Sequence, residues 1–304
     1  MMQAFEWIGH HVVKRAVVIE GVVENIEPLR VGSGKGVALE SLTDLEVLKV
    51  YDAKKGKFAP VIPGSSWKGV FRSSAVAIAR SLELTNVCDG IPGSVHPFIE
   101  SEHINEWKRL PVGERIRRVI EGEISLCILC LIFGSTALHS HAVFHDSVPI
   151  SEYRLGYRTG IAIDRRTGAA RRGALYTVEY VEPGAKFSFR LEADNLPNYA
   201  IGILAQVIMD IGSGFVKIGG LKSRGFGAVR FVDLKVRVFD REAGDFIEKG
   251  VIKALDAIDR PVEITGEWRK DLEAFRGVFL STLPILKKVN DLGWKWSAAL
   301  TEAK

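Results

Sequence analysis

Three cysteines form the metal-binding pattern of this sequence. Cys127 and Cys130 have two residues between them, a spacing typical of zinc sites, and Cys88 lies upstream. His96 follows Cys88 by eight residues and would complete a tetrahedral ligand set. These four residues therefore predict a structural zinc ion that holds residues 86–130 together. The alternative is a pair of buried thiols, because Cys127 and Cys130 lie in the apolar segment LCILCLIFG.

A second chemically distinctive segment is rich in arginine. Residues 154–173, RLGYRTGIAIDRRTGAARRG, contain six arginines and a single acidic residue, Asp164. Glycine and threonine are interleaved, which predicts a long hairpin. Arginine pairs with phosphate through two parallel hydrogen bonds, so such an arm can hold a nucleic-acid backbone. The alternative is a solvated loop, although solvated loops usually mix charge signs. The candidate contacts are Arg158, Arg165, Arg166, Arg171 and Arg172.

The segment PGSSWKGVFR, residues 63–72, predicts the start of a helix with phosphate-binding chemistry. Ser65 or Ser66 can cap the helix, and Lys68 and Arg72 are four residues apart, hence on one face. Free backbone N–H groups, two hydroxyls and two cations would together form a phosphate cradle. The alternative is a capped surface helix with solvated charges.

The segment VKIGGLKSRGFGAVRF, residues 216–231, contains four glycines before a predicted strand, with the cations Lys222 and Arg224 between the two pairs of glycines. Glycine is unfavourable in regular structure, so a cluster indicates a tight backbone path or a close approach to a ligand. We interpret it as a loop whose backbone lies against a phosphate strand. Its candidate contacts are Gly219, Gly220, Lys222, Ser223, Arg224 and Gly225.

Alternating strands and helices must position these motifs. Strands are predicted at residues 14–30, 141–145, 174–180, 186–192 and 228–239, and helices from residue 65 to 82 and at 198–214. This order predicts an α+β fold with a ferredoxin-like core, built from two β-α-β halves. The predicted core domain is 13–242, with insertions at about 84–138 and 153–174. Residues 243–304 are predicted to be a helical extension.

Composition excludes several classes of protein. The 304 residues carry a net charge of +4, which permits a polyanionic partner without requiring one. No apolar run is long enough for a membrane span and no signal peptide is visible, so we expect a cytoplasmic protein that does not bind membranes. The segment VGSGKG is not a phosphate-binding P-loop, because Lys35 is followed by glycine and Leu29 occupies the position of the outer glycine.

In combination, four segments resemble successive motifs of the CRISPR-associated RAMP proteins. They are PVIPGSSWKGVFRS, CILCLIFGS, the arginine-rich segment with the strand after it, and GGLKSRGFGAVRF. The resemblance covers about residues 15–240 and is strongest to the Csm/Cmr-type backbone subunit of type III effector complexes. It implies a modified RNA-recognition fold that binds a CRISPR guide RNA and its complementary target. It also implies head-to-tail self-association along the guide, contacts with other effector subunits, and a thumb formed by the arginine-rich hairpin.

The resemblance further implies a ribonuclease activity that needs an acidic residue in the loop after the first strand. The family pattern there is roughly H-I-G-G-x-D, whereas this sequence reads RVGSGKGVALESLTD. Lys35, an expected RNA contact, lies near the position of the acid, and the first carboxylates are Glu40 and Asp44. Asp44 is the preferred candidate, with a divalent metal such as Mg²⁺ or Mn²⁺ assisting cleavage of the target RNA. Alternatively, this copy binds RNA without cutting it.

Two other functions remain open from the sequence. One is a stand-alone RAMP endoribonuclease that processes guide-RNA precursors, for which His10 or His11 would have to act as a general base. The other is a non-catalytic, zinc-stapled scaffold subunit whose partners make the RNA contacts.

Overall fold

The structure is a computed structural model that describes residues 2–32, 44–53, 55–90, 104–135, 138–242 and 244–302. Three predicted site residues, Lys35, Glu40 and His96, lie outside the described residues. The strands are β1 (Arg15–Asn25), β2 (Lys49–Asp52), β3 (Lys57–Pro60), β4 (Ala142–Phe144), β5 (Leu155–Ile163), β6 (Ala170–Val181), β7 (Lys186–Asp194), β8 (Val229–Asp240), β9 (Asp245–Ile247), β10 (Gly250–Ile252) and β11 (Val262–Ile264). The α-helices are α1 (Gly64–Ser81), α2 (Ile104–Arg109), α3 (Val112–Ile120), α4 (Ile128–Phe133), α5 (Asn198–Gly212), α6 (Trp268–Asp291) and α7 (Ala299–Glu302).

A five-stranded antiparallel sheet with the order β4-β7-β1-β8-β9 lies at the centre of the fold. Helix α1 falls between β1 and β4 in the chain, and α5 falls between β7 and β8. The first four strands in this order, with two helices, have the β-α-β-β-α-β arrangement of a ferredoxin-like fold. The predicted α+β, ferredoxin-like class is therefore confirmed, and β9 adds a further strand beside β8.

One face of the sheet packs against the helices because alternate residues of each strand are apolar. In β1, Val17, Ile19 and Val23 are buried on this face. The α1 residue Trp67 is fully buried there, with its ring 5.0 Å from that of Phe189 on β7. Its Nε1 donates a hydrogen bond of 2.8 Å to Ser147 Oγ, so the position of α1 on the sheet is fixed.

The opposite face of the sheet is covered with paired charges. Glu20 of β1 accepts hydrogen bonds from Arg190 of β7 and Arg237 of β8, and Glu24 pairs with Arg230 at 3.2 Å. These pairs neutralise each other, so the arginines of this face are already engaged with carboxylates of the same chain.

Three insertions extend from this core. The β2–β3 hairpin precedes α1, helices α2–α4 lie between α1 and β4, and the β5–β6 hairpin lies between β4 and β7. The last of these is the predicted arginine-rich hairpin. Residues at its joint with the core form a small apolar cluster, in which Val178, Tyr180 and Phe226 are buried.

The sequence predicted a helical extension after residue 242, but these residues are not helical throughout. They begin with the short strands β9–β11, and only then does α6 start. Helix α6 packs directly on α5, since a Cβ on Gly202 would overlap the carbonyl oxygen of Phe275. Asp256, which is partly buried, accepts 2.8 Å hydrogen bonds from Trp7 Nε1 and Tyr199 OH, and the desolvation of its carboxyl raises its pKa to about 7. The C-terminal segment thus joins the same apolar core as the N-terminal residues.

In the part of the chain that the structure describes, we find no helix with the length and apolar character that a membrane crossing requires.

Candidate nucleic-acid groove and cysteine cluster

A cavity of about 660 Å³ lies between α1 and the glycine-rich loop, and we call it the groove. It brings together two motifs that are about 150 residues apart in the sequence, together with the segment that leaves β1. The groove is lined by Arg30, Val31, Gly32, Leu45, Ser66, Gly69, Val70, Ser73, Gly219, Gly220 and Lys222. Of the predicted contacts, Ser66, Gly219, Gly220 and Lys222 therefore lie together.

Packing within the protein requires glycine at two positions of the loop. Gly219 has a φ of +80°, and a Cβ there would overlap the carbonyl oxygen of Arg30. Gly220 N donates a 2.9 Å hydrogen bond to that same oxygen. Gly227, with a φ of +92°, lies equally close to the carbonyl of Ile218. Contact with the chain after β1 thus accounts for Gly219, and contact within the loop accounts for Gly227, in both cases without a ligand.

The exposed part of the loop is a short 3₁₀ turn, Lys222–Arg224. Gly225 follows with a φ of +77°, and a Cβ there would meet no atom of the described chain within 4 Å. Ser223 is exposed, and Arg224 Nη1 donates a 2.5 Å hydrogen bond to Tyr176 OH on the hairpin. Lys222 therefore faces the groove, whereas Arg224 joins the loop to the hairpin.

Arg30 is a groove residue that the sequence did not single out. Its Nε is inaccessible to solvent and has no hydrogen-bond partner among the described residues. Burial lowers the pKa of Arg30, and we find no carboxylate paired with it in the described part of the chain. A guanidinium in this state is a strong site for a phosphate oxygen. The only signal in the sequence was a cation at the end of the first predicted strand, residues 14–30.

Helix α1 presents its side, not its N-terminus, to the groove. Ser66, Gly69 and Ser73 lie along this side, and a Cβ on Gly69 would meet no described atom within 4 Å. Glycine destabilises a helix by about 1 kcal/mol relative to alanine, and internal packing does not require it here. The space beside Gly69 therefore allows a ligand to approach the helix backbone closely.

The predicted serine cap of α1 is wrong. The helix begins at Gly64 with Pro63 as the N-cap residue, and no side chain of the N-cap bonds to the helix. Instead, Asp146 Oδ1 accepts a 2.7 Å hydrogen bond from Gly64 N, while Ser65 is exposed. A carboxylate from the loop after β4 thus occupies the helix end where the sequence had predicted phosphate.

Lys68 and Arg72 do not act as an isolated pair. Arg72 Nη1 donates to the carbonyl oxygen of Gly134 at 3.1 Å, and its Nη2 lies 3.6 Å from Cys88 Sγ. Gly90 packs against this guanidinium, since a Cβ there would overlap its Cζ. Burial, together with the nearby charge of Arg72, lowers the pKa of Lys68. Arg72 is therefore committed to the segments that carry the cysteines.

The three cysteines form a buried cluster. Their sulfur atoms lie within 4.8 Å of one another, with 2.8 Å between Cys88 and Cys130 and 3.9 Å between Cys88 and Cys127. Tetrahedral zinc with Zn–S bonds of about 2.3 Å places sulfurs about 3.8 Å apart, which is close to the longer of these distances. The neighbouring sulfurs of Cys127 and Cys88 raise the pKa of the Cys130 thiol. A cluster of three sulfur ligands could therefore bind a metal ion, which would stabilise the thiolates.

Local structure explains how the cluster forms. Cys127 is the N-cap residue of α4, and its Sγ accepts a hydrogen bond from Cys130 N at 3.4 Å. The Cys-x-x-Cys spacing thus coincides with the first turn of a buried helix. Elsewhere among the described residues, no group of three histidines, cysteines or carboxylates has metal-binding geometry.

The arginine-rich hairpin has two distinct parts. At its base, Arg158 stacks over the rings of Phe226 and Tyr180, with 4.9 Å and 5.6 Å to their centroids. At its tip, Asp164 Oδ1 accepts hydrogen bonds from Arg166 N and Thr167 N, which form the turn. The exposed arginines near the tip are Arg165, Arg166 and Arg171, and Arg172 belongs to β6. Arg158 therefore connects the hairpin to the glycine-rich loop, whereas the arginines at the tip are exposed to solvent.

Asp44 lies at the base of the hairpin. Its Oδ2 accepts a 2.8 Å hydrogen bond from Thr177 N of β6. It lines a cavity of about 540 Å³ together with Tyr176, Leu221 and Arg224. The next residue, Leu45, lines both this cavity and the groove. Asp44 thus lies beside the groove and next to one predicted RNA contact, Arg224.

Comparison with known proteins agrees with this geometry. Residues 22–230 match the sequence model of the RAMP superfamily, a range that contains the groove, the cysteine cluster and the hairpin. Comparison with curated proteins gave no match. Because the matched range spans more than half of the 304 residues, the chain belongs to the RAMP superfamily of CRISPR-associated, RNA-binding proteins.

Proposed function

We propose that this protein is a guide-RNA-binding backbone subunit of a type III CRISPR ribonucleoprotein complex. The observation that carries the proposal is the groove, where the guanidinium of Arg30, the ammonium of Lys222 and the hydroxyl of Ser66 line one cavity. Among the described residues, no carboxylate pairs with Arg30. These groups bind phosphate oxygens without reading bases, as a subunit that accepts any guide sequence requires.

The hairpin supports a role in assembly along the guide. Its tip carries exposed arginines, and its exposed apolar residues include Ile161 and Leu175, which are paired across the two strands. We propose that this arm reaches the RNA held by the next copy of the chain, so that copies associate head to tail. The guide, its complementary target and other effector subunits would then be the partners.

Binding of single-stranded RNA of increasing length tests this function. Fluorescence anisotropy should show more copies bound per strand as the RNA lengthens, with affinity falling linearly on a log–log plot against salt. Arginine and lysine contacts to phosphate release counterions, which is the origin of that salt dependence. Absent binding, or binding that does not change with salt, would contradict the proposal.

We also propose that the subunit cleaves target RNA with the help of Asp44 and a divalent metal such as Mg²⁺ or Mn²⁺. In an assembly with guide and target, we expect products at regular spacing, and we expect Asp44→Ala to reduce their rate by about 100-fold or more. Asp233→Ala is the matched control, since Asp233 is an exposed carboxylate of the sheet. Gel electrophoresis of the RNA products, with and without the metal, measures the product spacing and the cleavage rate of each variant. Undiminished cleavage by Asp44→Ala would remove this residue from the mechanism.

The processing alternative finds less support in the structure. His10 Nε2 lies 3.1 Å from the carbonyl oxygen of His139, its ring stacks on that of His141, and burial lowers its pKa. Neither His10 nor His11 lines the groove.

We propose that the cysteine cluster holds a structural zinc ion, with Cys88, Cys127 and Cys130 as three ligands and His96 as the fourth. Thiolate ligands favour zinc, and a site whose four positions are filled by protein stabilises structure and does not catalyse. In this site Arg72 would donate to the Cys88 thiolate and offset part of its negative charge.

Arg72→Gln is expected to weaken zinc retention by about 10- to 100-fold, the usual effect of removing a group that hydrogen-bonds to a ligand. The rate and extent of zinc transfer to a chromophoric chelator measure how tightly each variant retains the ion. Lys68→Gln, one turn away on α1, is the matched control and should retain zinc like the unmodified protein. Equal zinc release from both variants would show that Arg72 does not support the site.

A further inference from the structure

A second cavity, of about 570 Å³, shares no lining residue with the groove. It lies between the N-terminal residues, helices α2 and α3, and the segment before β4. Its walls are mainly apolar, from Ile8, Trp107, Val112, Ile116, Val119 and Leu138. Sites for small molecules have this size and this apolar character, with a few polar groups that orient the ligand.

Arg115 supplies the charge in this cavity. Its helix neighbours Arg117 and Arg118 both pair with Glu114 and Glu123, and Arg117 also pairs with Glu121, at distances of 2.5 to 3.7 Å. Arg115 has no such partner among the described residues, and its Nε is both inaccessible to solvent and without a hydrogen bond. A ligand with a negative charge would therefore meet, in this cavity, a guanidinium that no carboxylate of the described residues neutralises.

Histidines complete the wall around Arg115. His10 and His139 line the cavity, and the ring of His10 stacks on that of His141 with 4.0 Å between centroids. Burial lowers the pKa of His10 and lowers that of His141 to about 4, so both rings are uncharged at neutral pH. Of these two, His10 lines the cavity, and its ring offers a flat aromatic surface with a polar edge. The cavity thus combines an apolar and aromatic wall with a guanidinium that pairs with no carboxylate of the described chain.

We propose that this cavity binds a small organic anion, with an aromatic body against the apolar wall and a carboxylate or phosphate paired with Arg115. The site is independent of the groove, because the two cavities share no residue. Its occupancy would stabilise the packing of α3 on the N-terminal residues, since both contribute to its wall.

A pair of isosteric probes tests the proposal on the full-length protein. 2-Naphthoate carries the carboxylate, and 2-naphthamide has the same shape without the charge. Isothermal titration calorimetry should show saturable binding of the naphthoate and at least about tenfold weaker binding of the amide, because a charge-assisted hydrogen bond contributes about 1.5–3 kcal/mol. Arg115→Gln should weaken naphthoate binding by about the same factor and leave the amide unchanged.

Two further variants make the test decisive. Arg109→Gln removes an exposed arginine of α2 that does not line the cavity, and it should bind naphthoate like the unmodified protein. Val112→Trp should fill the cavity and abolish binding of both probes, while circular dichroism checks that the variant is folded. The proposal is overturned if naphthoate shows no saturable binding, if Arg115→Gln and Arg109→Gln behave alike, or if folded Val112→Trp still binds.

Discussion

Replacing Arg30 and Lys222 together by glutamine is expected to weaken binding of single-stranded RNA by about 100-fold. Each cation in the groove can make a charge-assisted hydrogen bond to phosphate, which contributes about 1.5–3 kcal/mol, and at the lower end of this range two such bonds correspond to about two orders of magnitude. Each phosphate contact also contributes about 0.7 to the salt dependence of single-strand binding. The slope of log affinity against log salt should therefore become shallower by about 1.4.

The matched control is Arg269→Gln with Lys270→Gln on α6. It removes the same charge, and neither residue lines the groove. Anisotropy titrations at three or more salt concentrations compare the two double variants. If both lose the same affinity, binding responds to net charge alone and the groove has no special role. If neither loses affinity, RNA is bound elsewhere.

Replacing Cys127 and Cys130 by serine is expected to reduce zinc content from about one ion per chain to none. The melting temperature should fall by about 10 °C, because a loss of about 3–5 kcal/mol shifts a domain of this size by 2–4 °C per kcal/mol. Zinc binding contributes directly to folding free energy when the ligands are brought together only in the folded state. Elemental analysis and differential scanning calorimetry measure the two effects.

A control variant separates the metal from packing. Ile132→Val removes one methylene from the same buried helix, α4, and leaves all three sulfurs in place. It should keep its zinc and lose only about 1 kcal/mol. The zinc proposal fails if protein purified without chelators contains no metal, or if a chelator leaves the melting temperature of the unmodified protein unchanged.

Local sequence pattern predicted the elements of the core well. The apolar periodicity of α5, β7 and β8 placed them within two residues of their observed ends. The first strand was also predicted, although β1 ends at Asn25, five residues before the predicted end. These elements depend on how apolar and polar side chains alternate between core and surface, and this periodicity can be recognised within a short stretch of sequence.

The parts that could not be predicted depend on residues far apart in the chain. Asp146 caps α1 across 82 residues, and Arg72 turns to Cys88 and Gly134 because the insertion folds back onto the helix. Arg30 became a candidate only when the glycine-rich loop was seen to press on its carbonyl group. The cavity around Arg115 likewise requires three segments to meet, so its unpaired charge is invisible in the sequence.

The close crossing of α5 and α6 at Gly202 sets an order of events during synthesis. Residues 199–205 of α5 are all buried, so this helix is covered by the sheet on one side and by α6 on another. The ribosome makes about 5–20 residues per second, and α6 ends 79 residues after α5, which corresponds to about 4–16 seconds. During that interval the nascent core exposes an apolar helix face, which is open to aggregation until α6 covers it.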